Sequence, residues 1–123
     1  MHKICIALAE EGYVVTLVGR KLSHSETLSN KAYRQHRLRC FFNKGKLFYV
    51  EFNLRLLCYL LFQRADVICA IELDTIVPVY MAGRLKGAKL AYDAHEYFTE
   101  VPEVTNRPSV KAVWKSIEKF CIP

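Results

Sequence analysis

The residues best suited to chemistry lie in one short segment. Asp93, His95 and Glu96 fall within four positions of one another. An imidazole can donate or accept a hydrogen bond near neutral pH, and a neighbouring carboxylate can fix its tautomer. This pattern suits a sugar hydroxyl, a developing charge or general-base catalysis. A structural interpretation stays open, in which Asp93 caps an element, His95 bonds to the backbone and Glu96 is solvated.

A metal ion or bound cofactor is not predicted. Three neighbouring residues at the end of a strand rarely converge on one ion. The five cysteines and four histidines are scattered, without a C-x-x-C pair, which disfavours a zinc site. Most of the cysteines lie inside apolar runs, as is typical of a reducing compartment. We therefore expect a cytoplasmic protein.

A second polar segment follows another apolar run, at Glu72-Leu73-Asp74-Thr75. Asp74 can cap the amino terminus of the next helix, and this accounts for the residue without any function. In the alternative interpretation, Asp74 and Thr75 meet a polar ligand at that helix terminus. No dinucleotide-binding, P-loop, hydrolase-elbow or RRM signature occurs in the sequence.

The predicted elements alternate between helix and strand. Apolar, β-branched runs predict strands at Tyr13–Val18, Asp66–Ile71 and Lys89–Asp93, and a strand nearer the sheet edge at His36–Phe42. Helical periodicity predicts four helices, at His2–Glu11, Leu47–Arg64, Thr75–Leu85 and Ser109–Phe120. Strands separated by helices indicate a mainly parallel sheet. The predicted class is therefore α/β, with a Rossmann-like sheet and flanking helices.

Ligands of such sheets bind outside the carboxyl ends of the strands. Three segments follow predicted strands in this way: Gly19–Lys21, Glu72–Thr75 and Asp93–Glu96. We expect them to share one rim.

The positive charge is concentrated in the first part of the chain. The net charge of the 123 residues is +6; residues 1–46 hold 9 Lys and Arg against 3 acidic residues, and residues 47–123 hold 9 against 9. The basic stretch from Arg20 to Lys46 is either a solvated surface or a docking site for anionic lipid or nucleic acid.

The apolar run that begins at Leu47 is too short for a membrane span and is interrupted by Glu51 and Arg55, which can pair along a helix. It predicts a buried amphipathic helix, with an interfacial membrane helix as the alternative.

Three stretches carry a resemblance to a known family. They read KICIALAEEGYVVTLVGRKL, RADVICAIELDTIVPVYMAGRLKGAKLAYDAHEYFTEVPEV and RPSVKAVWKSIEKF. Together they resemble the N-terminal domain of family 4 glycosyltransferases with the GT-B fold, in the bacterial branch whose strand end reads Asp-x-His-Glu-x-Phe-x-Glu. The resemblance implies retaining transfer of a sugar from a nucleotide-sugar donor, the co-substrate, to a glycan or lipid-linked acceptor.

The same resemblance implies roles for particular residues. The N-terminal domain of these enzymes mainly holds the acceptor, in a cleft shared with a C-terminal nucleotide-sugar domain. His95 matches the histidine that faces the donor sugar. Four acidic residues lie at motif positions close to the same cleft: Asp74, Asp93, Glu96 and Glu100. Peripheral contact with the inner membrane would suit a lipid-linked acceptor, and nucleic acid is not a favoured partner.

Two departures from the family pattern set further expectations. Met1 directly precedes the first predicted helix, where family members have a first, central strand, and Pro123 precedes any nucleotide-sugar domain. Residues 1–123 are thus expected to form an incomplete Rossmann-like domain that does not transfer sugar alone. The strand edges left beside the missing strand are expected to close on each other, to self-associate or to impair folding.

Overall fold

A computed structural model describes residues 2–21, 31–42, 44–94 and 100–122. The chain divides into two compact units, Met1–Phe52 and Asn53–Pro123. The elements in chain order are α1 (His2–Glu10), β1 (Thr16–Lys21), β2 (Arg34–Arg39), α2 (Gly45–Phe62), β3 (Val67–Ile71), a 3-10 turn (Leu73–Thr75), α3 (Ile76–Lys86), β4 (Lys89–Asp93), α4 (Pro102–Thr105) and α5 (Pro108–Cys121). This order confirms the predicted alternation of helices and strands. The 3-10 turn and the short α4 were not predicted.

In the first unit, β1 and β2 form a parallel pair in which Thr16 lies opposite Arg34. The predicted strand over Tyr13–Val18 is wrong in its bounds. The backbone N–H of Tyr13 donates to the carbonyl oxygen of Leu8 at 3.1 Å, which places Tyr13 in the turn that closes α1. The strand therefore starts only at Thr16 and continues through Gly19.

The segment that follows β2 is hydrogen-bonded to a glutamate of the next helix. The strand ends at Arg39, three residues earlier than predicted. The backbone N–H groups of Phe41 and Phe42 donate to the two carboxylate oxygens of Glu51, at 2.7 and 2.9 Å. Glu51 thus ties this connection to α2, which begins at Gly45 rather than at the predicted Leu47.

In the second unit, β3 and β4 also form a parallel pair, as predicted, with Val67 opposite Lys89. Their packed face meets α3, and a Cβ atom added at Gly83 would overlap the side chain of Leu90. Gly83 therefore permits close packing of the helix on the sheet. The buried core of the unit consists of Ile68, Ala70, Leu73, Ile76, Val79, Ala82 and Cys121.

Burial departs from the apolar sequence pattern in two elements. Although β3 is continuously apolar, Val67 and Cys69 are exposed and alternate with buried residues. Helix α2 forms as predicted, yet Leu56 is its one buried residue. Among the described residues, no helix is long and apolar enough to cross a membrane.

Candidate ligand site at the carboxyl ends of β3 and β4

The carboxyl ends of β3 and β4 bring two of the predicted polar segments together. Ile71 lies opposite Asp93 in the strand register. One residue later, the backbone N–H of Glu72 donates to the carbonyl oxygen of Asp93 at 3.0 Å. Asp74 and Thr75 follow in the 3-10 turn. The convergence expected from the parallel topology is thus confirmed for Glu72–Thr75 and Asp93, whereas a shared rim with Gly19–Lys21 stays a prediction.

Glu72 has an unusual backbone conformation. Its φ of 65° and ψ of 165° lie in a region that is populated almost solely by glycine. Within the described ranges, it is the one residue other than glycine with a positive φ. Its Oε2 atom is buried. Backbone strain of about 1–3 kcal/mol persists only where the surroundings enforce it, and such residues cluster at functional sites. In the sequence, Glu72 is distinguished only as a neighbour of Asp74.

Asp74 does not cap α3, which corrects the structural interpretation of this residue. The 3-10 turn intervenes after β3, so the helix starts at Ile76 and Thr75 occupies the capping position. The Thr75 hydroxyl instead donates to the carbonyl oxygen of Ile71 at 2.9 Å. This hydrogen bond joins Thr75 to the last residue of β3 and so fixes the backbone on both sides of Glu72.

The rim is only partly accessible to water and carries several carboxyl groups. Burial raises the pKa of the Asp74 carboxyl, and the negative charge of Glu72 raises it further. Burial also raises the pKa of the Tyr92 phenol. The negative charges of Glu72, Glu118 and Asp74 raise it further. Carboxylates in such surroundings favour hydrogen-bond donors such as hydroxyl groups and repel phosphate.

Replacement of Asp74 by asparagine is expected to change how stability depends on pH. The folded protein retains the Asp74 proton to a higher pH than the unfolded chain does. Its stability therefore falls as the pH rises from the ordinary range of an aspartate through the raised pKa. The Asp74→Asn variant lacks the titrating carboxyl group. Its free energy of unfolding should therefore increase relative to that of the parent as the pH rises across that range. Urea unfolding at several pH values measures the difference.

The exposed Asp66 provides the control for this experiment, because it lies in the same unit just before β3. The Asp66→Asn variant is expected to follow the pH profile of the parent. Identical profiles for Asp74→Asn and the parent would contradict the electrostatic description of the rim.

The remaining predicted site residues differ in how far they are described. His95 and Glu96 lie outside the described residues. Glu100 is exposed, and its carboxylate accepts a hydrogen bond from Lys111 of α5 at 3.0 Å, which lowers the pKa of Glu100. Its role in binding stays a prediction. In the described part of the chain, no group of three or more His, Cys, Asp or Glu residues could hold a metal ion.

The chain was also compared with known proteins. No protein-family model, curated protein or solved structure matches it. The chemistry of the rim is therefore the basis on which a function is proposed. That chemistry consists of Glu72 on a strained backbone, a half-buried carboxyl group at Asp74 and a hydrogen-bonded junction with Asp93.

Proposed function

We propose that this chain is the acceptor-side half of a retaining glycosyltransferase, which moves a sugar from a nucleotide-sugar donor to a glycan or lipid-linked acceptor. One observation carries the proposal. Glu72 and Asp93 meet at the carboxyl ends of two parallel strands, and Asp93 opens the Asp-x-His-Glu motif. Ligands of α/β sheets bind at this kind of edge.

The chemistry of the rim favours the acceptor over the donor. Saccharides present several hydroxyl groups that can donate to carboxylates such as Glu72 and Asp93. Asp74, whose pKa is raised, can also accept or donate according to its protonation. The diphosphate of a nucleotide sugar would be repelled by the same charges. In this proposal the donor is therefore held by a separate nucleotide-sugar domain, and this chain alone does not transfer sugar.

The described topology agrees with a Rossmann-like domain. Both strand pairs are parallel, and β3, α3 and β4 form the strand–helix–strand unit of which doubly wound sheets are built. The complete Rossmann-like architecture belongs to the proposal. A cytoplasmic location, with peripheral contact at the inner membrane, belongs to it as well.

The proposal is tested by saccharide binding. We expect saturable binding of an oligosaccharide or lipid-linked saccharide by saturation-transfer NMR. Substitution Asp93→Asn or His95→Ala should weaken that binding at least about tenfold, the effect of losing one good hydrogen bond to a charged group. Glu10→Gln provides the control, because Glu10 is an exposed carboxylate in the first unit. Equal loss in all three variants, or no binding of any saccharide, would contradict the proposal.

A second candidate function is a basic binding module that uses residues 20–46. It is favoured by the cations that the structure leaves exposed: Lys21, Lys31, Arg34, Arg39, Lys44 and Lys46. These side chains could attract anionic lipid or nucleic acid. The surface of α2 bears on the choice between these two partners.

A further inference from the structure

Helix α2 carries an apolar stripe on its exposed surface. We define the α2 stripe as Leu47, Val50, Leu54, Cys58 and Leu61. These residues recur at intervals of three and four, so they lie on one face of the helix. Leu47, Val50 and Leu54 are 60%, 57% and 58% exposed, and Cys58 and Leu61 are exposed as well. The stripe is about 21 Å long at 1.5 Å per residue.

Other residues of α2 are fixed by contacts. Leu56 is buried, and Leu57 and Leu60 pack against the core of the second unit. The Lys86 ammonium group donates to the carbonyl oxygen of Leu60 at 2.9 Å. Within the second unit, Leu54, Cys58 and Leu61 of the α2 stripe are therefore exposed on an anchored part of the helix. Exposed apolar surface of this extent commonly marks an interaction site.

Exposed aromatic and basic residues bracket the stripe. Phe41 and Phe42 are exposed and are held next to α2 by their hydrogen bonds to Glu51. Phe62 is exposed at the other end of the helix. Exposed cations flank the two ends of the helix, at Lys44, Lys46 and Arg64. Apolar and aromatic side chains beside cations are typical of a helix that lies in a membrane interface.

The charge of the protein distinguishes among possible occupants of this surface. A second copy would bring a like net charge of +6, which is concentrated in residues 1–46. A nucleic acid would match that charge, but its phosphates would leave the apolar stripe uncovered. An anionic bilayer matches both properties, since its headgroups attract the cations and its acyl chains receive the stripe.

We propose that α2, together with Phe41 and Phe42, lies in the plane of an anionic bilayer, with the α2 stripe directed toward the acyl chains. The helix does not meet the requirements for crossing a membrane, so an in-plane position is the one available to it. The proposal uses no residue of the β3–β4 rim and does not depend on sugar transfer.

The test is flotation of the full chain with vesicles of phosphatidylglycerol and phosphatidylcholine, compared with phosphatidylcholine alone. We expect binding to the anionic vesicles that weakens with salt. Combining Leu47→Gln, Val50→Gln and Leu54→Gln should reduce this binding at least about tenfold, because three apolar contacts are lost. Since the three residues are exposed, the variant should retain the circular dichroism spectrum of the parent.

A matched control combines Met81→Gln, Leu85→Gln and Val113→Gln, which replace exposed apolar residues of α3 and α5. This variant should bind like the parent, as should Asp93→Asn, so the test is separate from that of the rim. Three outcomes would overturn the proposal. They are undiminished binding by the stripe variant, a stripe-dependent dimer without vesicle binding, and nucleic-acid binding that persists in the stripe variant while vesicles are not bound.

Discussion

Replacement of Leu73 by alanine is expected to lower the free energy of unfolding by about 3.5 kcal/mol, the middle of the range for a fully buried leucine. Leu73 is 1% exposed and belongs to the core that includes Ile68 and Ile76. The substitution removes apolar surface from the core and leaves a cavity directly beneath the 3-10 turn that carries Asp74. Urea denaturation followed by circular dichroism measures the loss.

The control for this substitution is Leu85→Ala in α3 of the same unit. Leu85 is 71% exposed, so its truncation should change the free energy of unfolding by less than about 0.5 kcal/mol. Similar unfolding midpoints for the two variants would show that the 3-10 turn is not packed into the core.

Replacement of Glu72 by glycine is expected to stabilise the protein while it removes a carboxylate of the proposed acceptor site. Glycine adopts the backbone angles of Glu72 without strain. Part of this gain is offset because glycine loses more backbone entropy on folding. The Glu72→Ala variant retains the strain but lacks the carboxylate. We therefore expect Glu72→Gly to exceed Glu72→Ala by about 1 kcal/mol in unfolding free energy.

Both Glu72 variants should lose saccharide binding to the same degree, because both lack the carboxylate. A gain in stability at the expense of binding is the pattern expected of a strained functional residue. Equal stability of the glycine and alanine variants would mean that Glu72 is not strained. Unchanged binding would remove it from the site.

Local sequence patterns predicted most of the elements correctly. Continuous apolar runs located β3 and β4, and helical periodicity located α5 to within one residue at each end. The errors lie where a backbone turn overrides the apolar pattern. Tyr13 has a β-forming side chain, yet it is used to close α1. Likewise, Asp74 is a good helix cap by type, but the 3-10 turn separates it from the helix.

Burial was harder to predict than secondary structure. The composition of an apolar helix such as α2 does not reveal whether the face opposite Leu56 contacts a protein core, a membrane or water. The prediction of a buried helix was therefore wrong for the face that contains Leu54, although it holds for Leu56. Tertiary contacts decide this question, and a local pattern does not contain them.

The site was predictable in part. The rule that strand ends of a parallel sheet share an edge placed Asp93 beside Glu72–Thr75. The conformation of Glu72 was not predictable, because a glutamate in a glycine-only backbone region carries no local sequence signal. The functional assignment of His95 and Glu96 depends on the family resemblance and stays a prediction.

The most direct test of the central claim is to map saccharide binding on the backbone amide spectrum by NMR. Titration with an acceptor-type oligosaccharide should shift the amide signals of Glu72–Thr75 and Asp93–Glu100 in a saturable manner, while the signals of α1 and β2 remain in place. Saturable shifts confined to residues of the first unit, or no shifts with any saccharide, would contradict the assignment of this rim as an acceptor site.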